Sequence, residues 1–213
     1  MTATAPARAI VLDFDGTITQ ADLLDEMARR FGDAGIYAEV EERLHAGTIT
    51  LQECITREFA PVRASLDEAV AWVLVHVRLR PGLPELVDLA ARSGWSVTVL
   101  SSGFEELIRP ILDAAGIDGV DVVANGVEAT PDGWRVRWRD ETVCAACGEP
   151  CKRGALPAGD EIVYVGDGIS DRCAALASDR VFATRGLARY LDEQGLPYER
   201  FDDFHDVLRG LTG

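Results

Sequence analysis

The chain has 213 residues, 36 acidic against 21 basic, and a formal net charge of -15. A hydrophobic fraction of 47% with 27% charged residues is globular composition, enough for one ordinary domain carrying a smaller inserted unit. Such acidity speaks against wrapping nucleic acid or binding an anionic membrane, both of which need a basic footprint. No run of eighteen apolar residues is present to span a bilayer.

The N-terminal stretch carries one arginine, and its short apolar run passes directly into two carboxylates, which predicts no secretory leader. Ala9 to Leu12 reads as a buried parallel strand, followed at once by Asp13-Phe14-Asp15-Gly16-Thr17. A helix is predicted over Ala21 to Phe31, with Asp22 in its first turn and Gly32 as its stop. Helical spacing continues through Tyr37–Leu44, Leu51–Phe59 and Leu66–Val77, with Thr50 or Thr48 as a cap and no strand signal between. After Pro81-Gly82 the pattern alternates. It gives a helix over Leu83–Arg92, a strand over Ser96–Leu100 that stops at Ser101, a helix over Glu105–Ala115 and a strand over Val120–Ala124. A hairpin follows within Val127–Trp138 around Pro131-Asp132-Gly133, then a short helix or turn at Cys151–Leu156 and a strand over Glu161–Val165. Helix over Ser170–Ala177, strand over Val181–Ala183, and helices over Leu187–Gln194 and Asp203–Leu208 complete the chain. The expected fold is α/β: a Rossmann-like three-layer core around a parallel sheet, with a small inserted α-helical cap. Residues 1–20 and 79–213 are assigned to the core and 21–78 to the cap.

Three predicted strands end in polar turns, Asp13 to Thr17, Ser101 to Gly103, and Gly166-Asp167-Gly168. In open parallel sheets, ligands bind beyond the carboxyl ends of the strands, so these turns are expected to meet. Asp13 and Asp15 point to one side of an extended backbone, and Asp167 and Asp171 share a face once a helix begins. Four converging carboxylates need neutralising, and oxygen donors favour Mg²⁺. A phosphate ester would complete such a site, held by the Ser101 hydroxyl and the Ser102 and Gly103 N–H groups. Lys152 is the one lysine in a chain with twenty arginines, a compact point charge where a fork would not serve.

The four motifs in order resemble the haloacid dehalogenase-like hydrolases, specifically their aspartate-dependent phosphatases: Asp13-Phe14-Asp15-Gly16-Thr17, Ser101 with Ser102 and Gly103, Lys152, and Gly166-Asp167-Gly168-Ile169-Ser170-Asp171. The resemblance implies Asp13 as a nucleophile that becomes an aspartyl-phosphate, and Asp15 as general acid then base. It implies Asp13, the Asp15 backbone carbonyl and Asp167 as Mg²⁺ ligands, Asp171 as support for a metal-bound water or for Lys152, and Lys152 and Ser101 as partners of the phosphoryl oxygens. The insert is similar to the small helical cap of the phosphoserine phosphatase-like branch, which closes on a small-molecule phosphate ester. Asp22 resembles that branch's acidic pocket position, and Arg57 is either a holder of a substrate's anionic tail or a solvated surface residue. Gly16 and Asp22 stand where phosphoserine phosphatases have Ser and Glu, which lowers serine phosphate as a substrate.

The segment Cys144-Ala-Ala-Cys147-Gly-Glu-Pro-Cys151-Lys152, with Phe201 to His205, resembles the methylthioribose-salvage phosphatases, which act on 2-hydroxy-3-keto-5-methylthiopentenyl-1-phosphate. Part of it also resembles phosphocholine and phosphoethanolamine phosphatases. A phosphotransferase or mutase on the same scaffold is the alternative reaction, and a non-catalytic binding protein the remaining one. The five cysteines, Cys54, Cys144, Cys147, Cys151 and Cys173, are an odd count that argues against a secreted disulfide scaffold and points to the cytoplasm. Cys144, Cys147 and Cys151 supply three soft ligands where structural zinc takes four. Free thiols, a reactive disulfide, or zinc completed by Cys173 or an Asp all stay open. Nucleic-acid and membrane partners are not expected, and a homodimer is allowed.

Overall fold

A computed structural model describes residues 7–213; residues 1–6, on which the expectation about a leader partly rests, lie outside the described residues. Strand β1 (Arg8–Leu12) is buried along Ala9–Leu12 because both of its faces are covered. Ile10 and Leu12 enter one core cluster together with Val163 and Val165. Val11 enters a second with Leu100, Tyr164 and Leu187. Two apolar faces on one strand, each sealed by its own helices, are what make a three-layer core.

Among the described residues the sheet has seven strands in the order β4-β3-β2-β1-β5-β6-β7, formed by β2 (Trp95–Phe104), β3 (Asp121–Thr130), β4 (Gly133–Arg137), β5 (Glu161–Gly166), β6 (Arg180–Ala183) and β7 (Glu199–Arg200). Only the β3–β4 pair is antiparallel. The chain runs outward from β1 through β2 and β3, then returns to place β5 on the other side of β1. That reversal opens a crevice at the carboxyl ends of β1, β2 and β5.

Between β1 and β2 lie α1 (Leu23–Phe31), α2 (Ala34–His45), α3 (Leu51–Phe59) and α4 (Leu66–His76), then α5 (Leu83–Ser93), which returns to the core. Each of the first four starts on a side-chain oxygen that accepts an orphan N–H: Asp22 from Asp25, Asp33 from Gly35 and Ile36, Thr50 from Glu53, and Ser65 from Glu68. Such caps are worth about 1 kcal/mol each. The smaller helical cap docks on the core through an aromatic seam. Phe59 meets Phe104 edge to face with ring centroids 4.7 Å apart, and Trp134 Nε1 donates to the Ala64 carbonyl at 2.8 Å. Truncating Phe59 to alanine would cost about 3–5 kcal/mol. Two linking segments run side by side beneath the cap, with Gln20 N–H donating to Arg78 O and Arg80 N–H to Ile18 O, each at 2.8 Å.

Three local expectations are corrected and one strand goes unanticipated. Strand β2 continues through Ser101 to Phe104, with an irregular register against β3 after Leu100. What reads as two short strands within 120–130 is one, β3, since Gly126 sits inside it. The helix expected from Ser170 is a tight turn at Ile169–Asp171 followed by the single-turn α7 (Arg172–Ala175). The two-residue edge strand β7 carries no apolar pattern and goes unread. The remaining elements, α6 (Glu105–Ala114), α8 (Arg185–Gln194) and α9 (Phe204–Thr212), fall where helical spacing places them.

Candidate active site

Each acidic side chain is delivered by the end of a strand. Asp13 follows β1, and its N–H donates to Val165 O of β5 at 2.9 Å, so the two strand tips are tied together. The chain then makes a wide turn over Phe14–Ile18 in which Gly16 adopts φ +77°, and a Cβ there would lie 2.4 Å from Asp167 Oδ2. Both the left-handed backbone and the close approach require glycine. Thr19 Oγ1 accepts the Gly16 N–H at 2.9 Å and locks the turn.

Lys152 opens a short turn at Lys152–Ala155 and is 1% exposed. Its ammonium donates to Asp13 Oδ1, and to Asp171 Oδ1 at 2.7 Å. Tyr164 OH donates to the same Asp171 oxygen at 2.7 Å, while Asp171 Oδ2 accepts the N–H groups of Asp167 and Gly168 at 2.9 Å each. Asp171 therefore has its acceptor positions filled by four donors. Asp167 meets Asp171 through this turn, not on a shared helix face, because the helix begins only at Arg172. Carboxylate oxygens of Asp13, Asp167 and Asp171 all lie within 4.8 Å of one another.

Ser101 projects from β2 and donates to Asp15 Oδ2 at 2.9 Å, while its own oxygen accepts the Gly103 N–H at 2.7 Å. The Gly103 N–H expected to face a phosphate is thus turned onto Ser101. Asp15 Oδ1 is buried with no hydrogen-bond partner among the described residues. Burial raises the Asp15 carboxyl to about 6 against the pull of the Ser101 hydroxyl, and burial beside Asp171 raises Asp167 to about 6. Asp13 is pushed upward by burial and by Asp171, with Lys152 opposing. Burial pulls the Lys152 ammonium down, but Asp13 and Asp171 outweigh it and the net shift is upward. Carboxylates held this close and this dry suit a hard divalent cation, the oxygen-rich donor set that Mg²⁺ takes.

Asp13, Asp15 and Asp167 form the floor of a cavity of about 430 Å³, walled on one side by the cap and on the other by core residues of the Gly168–Arg172 turn and of α8. Asp22 lines it as the N-cap of α1, not as a residue inside the helix, and burial raises its carboxyl too. Ser102 lines it as well. Arg57 does not: its guanidinium is bonded to Glu39 at 3.0 Å, away from the cavity. The neighbouring Glu58 is the residue that faces inward. It is 5% exposed, its Oε1 is buried without a partner, and burial together with Glu41 raises its carboxyl to about 8. Glu58 is missed by motif reading, yet Cys54, Ile55, Glu58 and Phe59 form the buried stripe of α3, so its position on that stripe was the available signal. Tyr164 is the other unforeseen contributor, hidden in a strand that reads as uniformly apolar.

Residues 10–176 match the haloacid dehalogenase-like hydrolase family. A 2-hydroxy-3-keto-5-methylthiopentenyl-1-phosphate phosphatase of Brevibacillus brevis is 30% identical over 207 residues, spanning 93% of this chain and 92% of its own. A polyol phosphate phosphatase of Saccharomyces cerevisiae is 28% identical, spanning 95% and 91%. Among solved structures, a phospho-aspartyl intermediate analogue of phosphoserine phosphatase superposes with a TM-score of 0.72 over 96% of this chain and 98% of its own, at 17% identity. At that identity the likeness concerns the fold.

Proposed function

This chain belongs to the haloacid dehalogenase-like hydrolases and is a Mg²⁺-dependent phosphomonoesterase working through an aspartate nucleophile, and we propose that Asp13 is that nucleophile and Asp15 its acid and base. The observation that carries this assignment is the pairing of Lys152 with Asp13 beside an Asp15 whose buried Oδ1 has no partner among the described residues.

In this reading an oxygen of Asp13 attacks the phosphorus of the monoester. The bond from phosphorus to the alcohol oxygen breaks, and the leaving oxygen takes the Asp15 proton. Asp15, now ionised, removes a proton from water, whose oxygen attacks the aspartyl-phosphate and releases inorganic phosphate and the Asp13 carboxylate. An Asp15 carboxyl near 6 is matched to both duties. Lys152 holds Asp13 in line, Asp171 holds Lys152, and Ser101 orients Asp15. Asp13, the Asp15 carbonyl and Asp167 would hold Mg²⁺, which would offset charge on the phosphoryl oxygens. Asp171 is left to position its neighbours, because its oxygens are already occupied by four donors.

We take residues 21–78 as the cap that closes over the substrate and the segments at 18–20 and 78–80 as its hinge. A cavity of about 430 Å³ suits a small metabolite and not a folded protein. Its cap wall pairs apolar Leu24, Leu44, Leu51 and Ile55 with the acids Asp22, Glu41 and Glu58. A thioether tail fits the first set and enol or hydroxyl groups the second, which supports 2-hydroxy-3-keto-5-methylthiopentenyl-1-phosphate as the substrate, in methionine salvage. The buried carboxyl of Glu58 favours a second reading, an amino-alcohol phosphate such as phosphoethanolamine or phosphocholine. Five unbridged thiols support a cytoplasmic setting.

The test is release of inorganic phosphate from both substrate types, with phosphoserine and a polyol phosphate beside them, ranked by kcat/KM with Mg²⁺ and with chelator. Asp13→Asn is the control for the nucleophile. Equal rates for wild type and this variant would remove the assignment of Asp13, and a uniform ranking would remove the substrate reading.

A further inference from the structure

The segment from Trp138 to Cys151, between β4 and the lysine turn, is long and irregular. Beyond Trp138, which packs on the core, it contributes little apolar surface: Val143 is 63% exposed. A connection of this length inside a compact domain needs another device to hold it. Its ordering matters because it ends at Lys152.

The device is visible in the sulfur positions. Sγ atoms of Cys144, Cys147, Cys151 and Cys173 all lie within 4.8 Å of one another, and those of Cys144 and Cys173 are 3.8 Å apart. None of the four is bridged. Four thiolates around zinc at about 2.3 Å would stand about 3.8 Å apart along each edge of a tetrahedron. The first two cysteines sit on a turn already shaped for such an ion. Gly148 N–H donates to Cys144 O at 2.8 Å, Ala146 N–H donates to Cys144 Sγ at 3.4 Å, and Gly148 takes φ +78°, which lets the chain curl back beneath the sulfurs. Cys151 and Cys173 approach from the two elements on the far side.

We propose that Cys144, Cys147, Cys151 and Cys173 form a structural zinc site, separate from the oxygen-lined Mg²⁺ site and independent of the substrate assigned above. Soft thiolates in tetrahedral array select zinc, whereas hard carboxylate oxygens select magnesium. Four sulfur ligands close the coordination sphere, so the ion staples and does not catalyse. The staple is well placed. Cys151 adjoins Lys152, and Cys173 lies two residues beyond Asp171, so one ion fixes the backbones of both partners of the 2.7 Å Lys152–Asp171 bond. Zinc with four thiolates carries two negative charges. Arg139, Arg153 and Arg172 line a second cavity, of about 420 Å³, together with Cys147, Cys151 and Cys173, which offsets that charge.

The sequence spacing alone left three thiols one ligand short. Cys173 supplies it from a distant element, which only the fold brings near.

The test uses the full chain, expressed in zinc-supplemented medium and purified without chelator. Elemental analysis is expected to give one zinc per chain. Cys144→Ser and Cys173→Ser should each fall below about a tenth of that, while Cys54→Ser, whose thiol lies in the cap, should keep it. Because the first two variants can fail to fold, wild type is also exchanged with Co²⁺. Tetrahedral thiolate ligation should give an intense near-ultraviolet charge-transfer band and strong visible bands, which oxygen ligands do not. Titrating thiols in the wild type should release one zinc as four thiols react. Metal-free protein whose four thiols react freely overturns the proposal. So does a mass lower by two hydrogens for a disulfide, or iron in place of zinc.

Discussion

Two acidic clusters face each other across the same cavity and are built on opposite plans. On the core side, the Lys152 ammonium bonds Asp13 and Asp171, the Tyr164 hydroxyl and two backbone N–H groups fill Asp171, and Arg185 pairs with Asp167 at 3.3 Å. On the cap side, Glu41 and Glu58 meet around Cys54 with no buried cation, and Glu58 keeps its proton up to about pH 8 because burial disfavours its charge. The first cluster is organised to hold charge. In the second, burial keeps the Glu58 carboxyl protonated, and a cationic group can take that proton's place. The contrast separates the two demands on a phosphatase: a constant phosphoryl end and a variable organic end.

The deepest break in this contrast is expected at Asp13, the proposed nucleophile. Asp13→Asn should cost at least about 10⁴-fold in kcat while leaving the cap-side cavity intact, read by phosphate release. Lys152→Met follows, with a loss of about 10²–10³-fold in kcat. Leaving buried carboxylates without their cation should also lower unfolding stability by about 3–5 kcal/mol, read by urea denaturation. Retention of full stability by this variant would mean that the core-side acids do not depend on the lysine.

Glu58→Gln sharpens the comparison through pH. An unfolded glutamate titrates near 4.5 and the folded one near 8, so between those values the folded chain holds the extra proton. Its contribution to stability is fully present below the lower value and is lost as pH rises to the upper one. The urea midpoint of wild type should therefore fall from pH 5 to 8, and Glu58→Gln should flatten that fall. The same substitution should lower kcat/KM for phosphoethanolamine by about 10- to 100-fold and spare a generic aryl phosphate, since losing a hydrogen bond to a charged group costs about 1.5–3 kcal/mol. The smallest effect belongs to Arg57→Ala. Its partner Glu39 is half-exposed, so stability should change by less than about 1 kcal/mol and kcat/KM hardly at all. A large loss would return Arg57 to the pocket.

What the sequence makes legible follows from range. Strands β1 and β5 and the cap helices carry local periodicity, and their turn residues announce where polar groups stand. Strand β2 outruns its apolar run through Ser101–Gly103, which lie in the register break between the paired Leu100 and Phe104, where Ser101 turns to Asp15. Asp22 was readable as a helix-start acid, but its place on the cavity wall depends on how α1 meets β1. Glu58 and Arg57 are neighbours pointing opposite ways, so choosing between them required the buried stripe of α3 and not the chemistry of either. Cys173 joins three distant thiols through a contact that no spacing encodes.

Lys152 has a further consequence. It is the one lysine side chain in the molecule and is 1% exposed, so an amine-acylating reagent can reach an ε-amine only when the strand tips separate. The speed of that modification would clock the opening of the reaction centre itself. Ligands that close the centre should slow the clock, which allows candidate metabolites to be sorted by protection alone, without turnover.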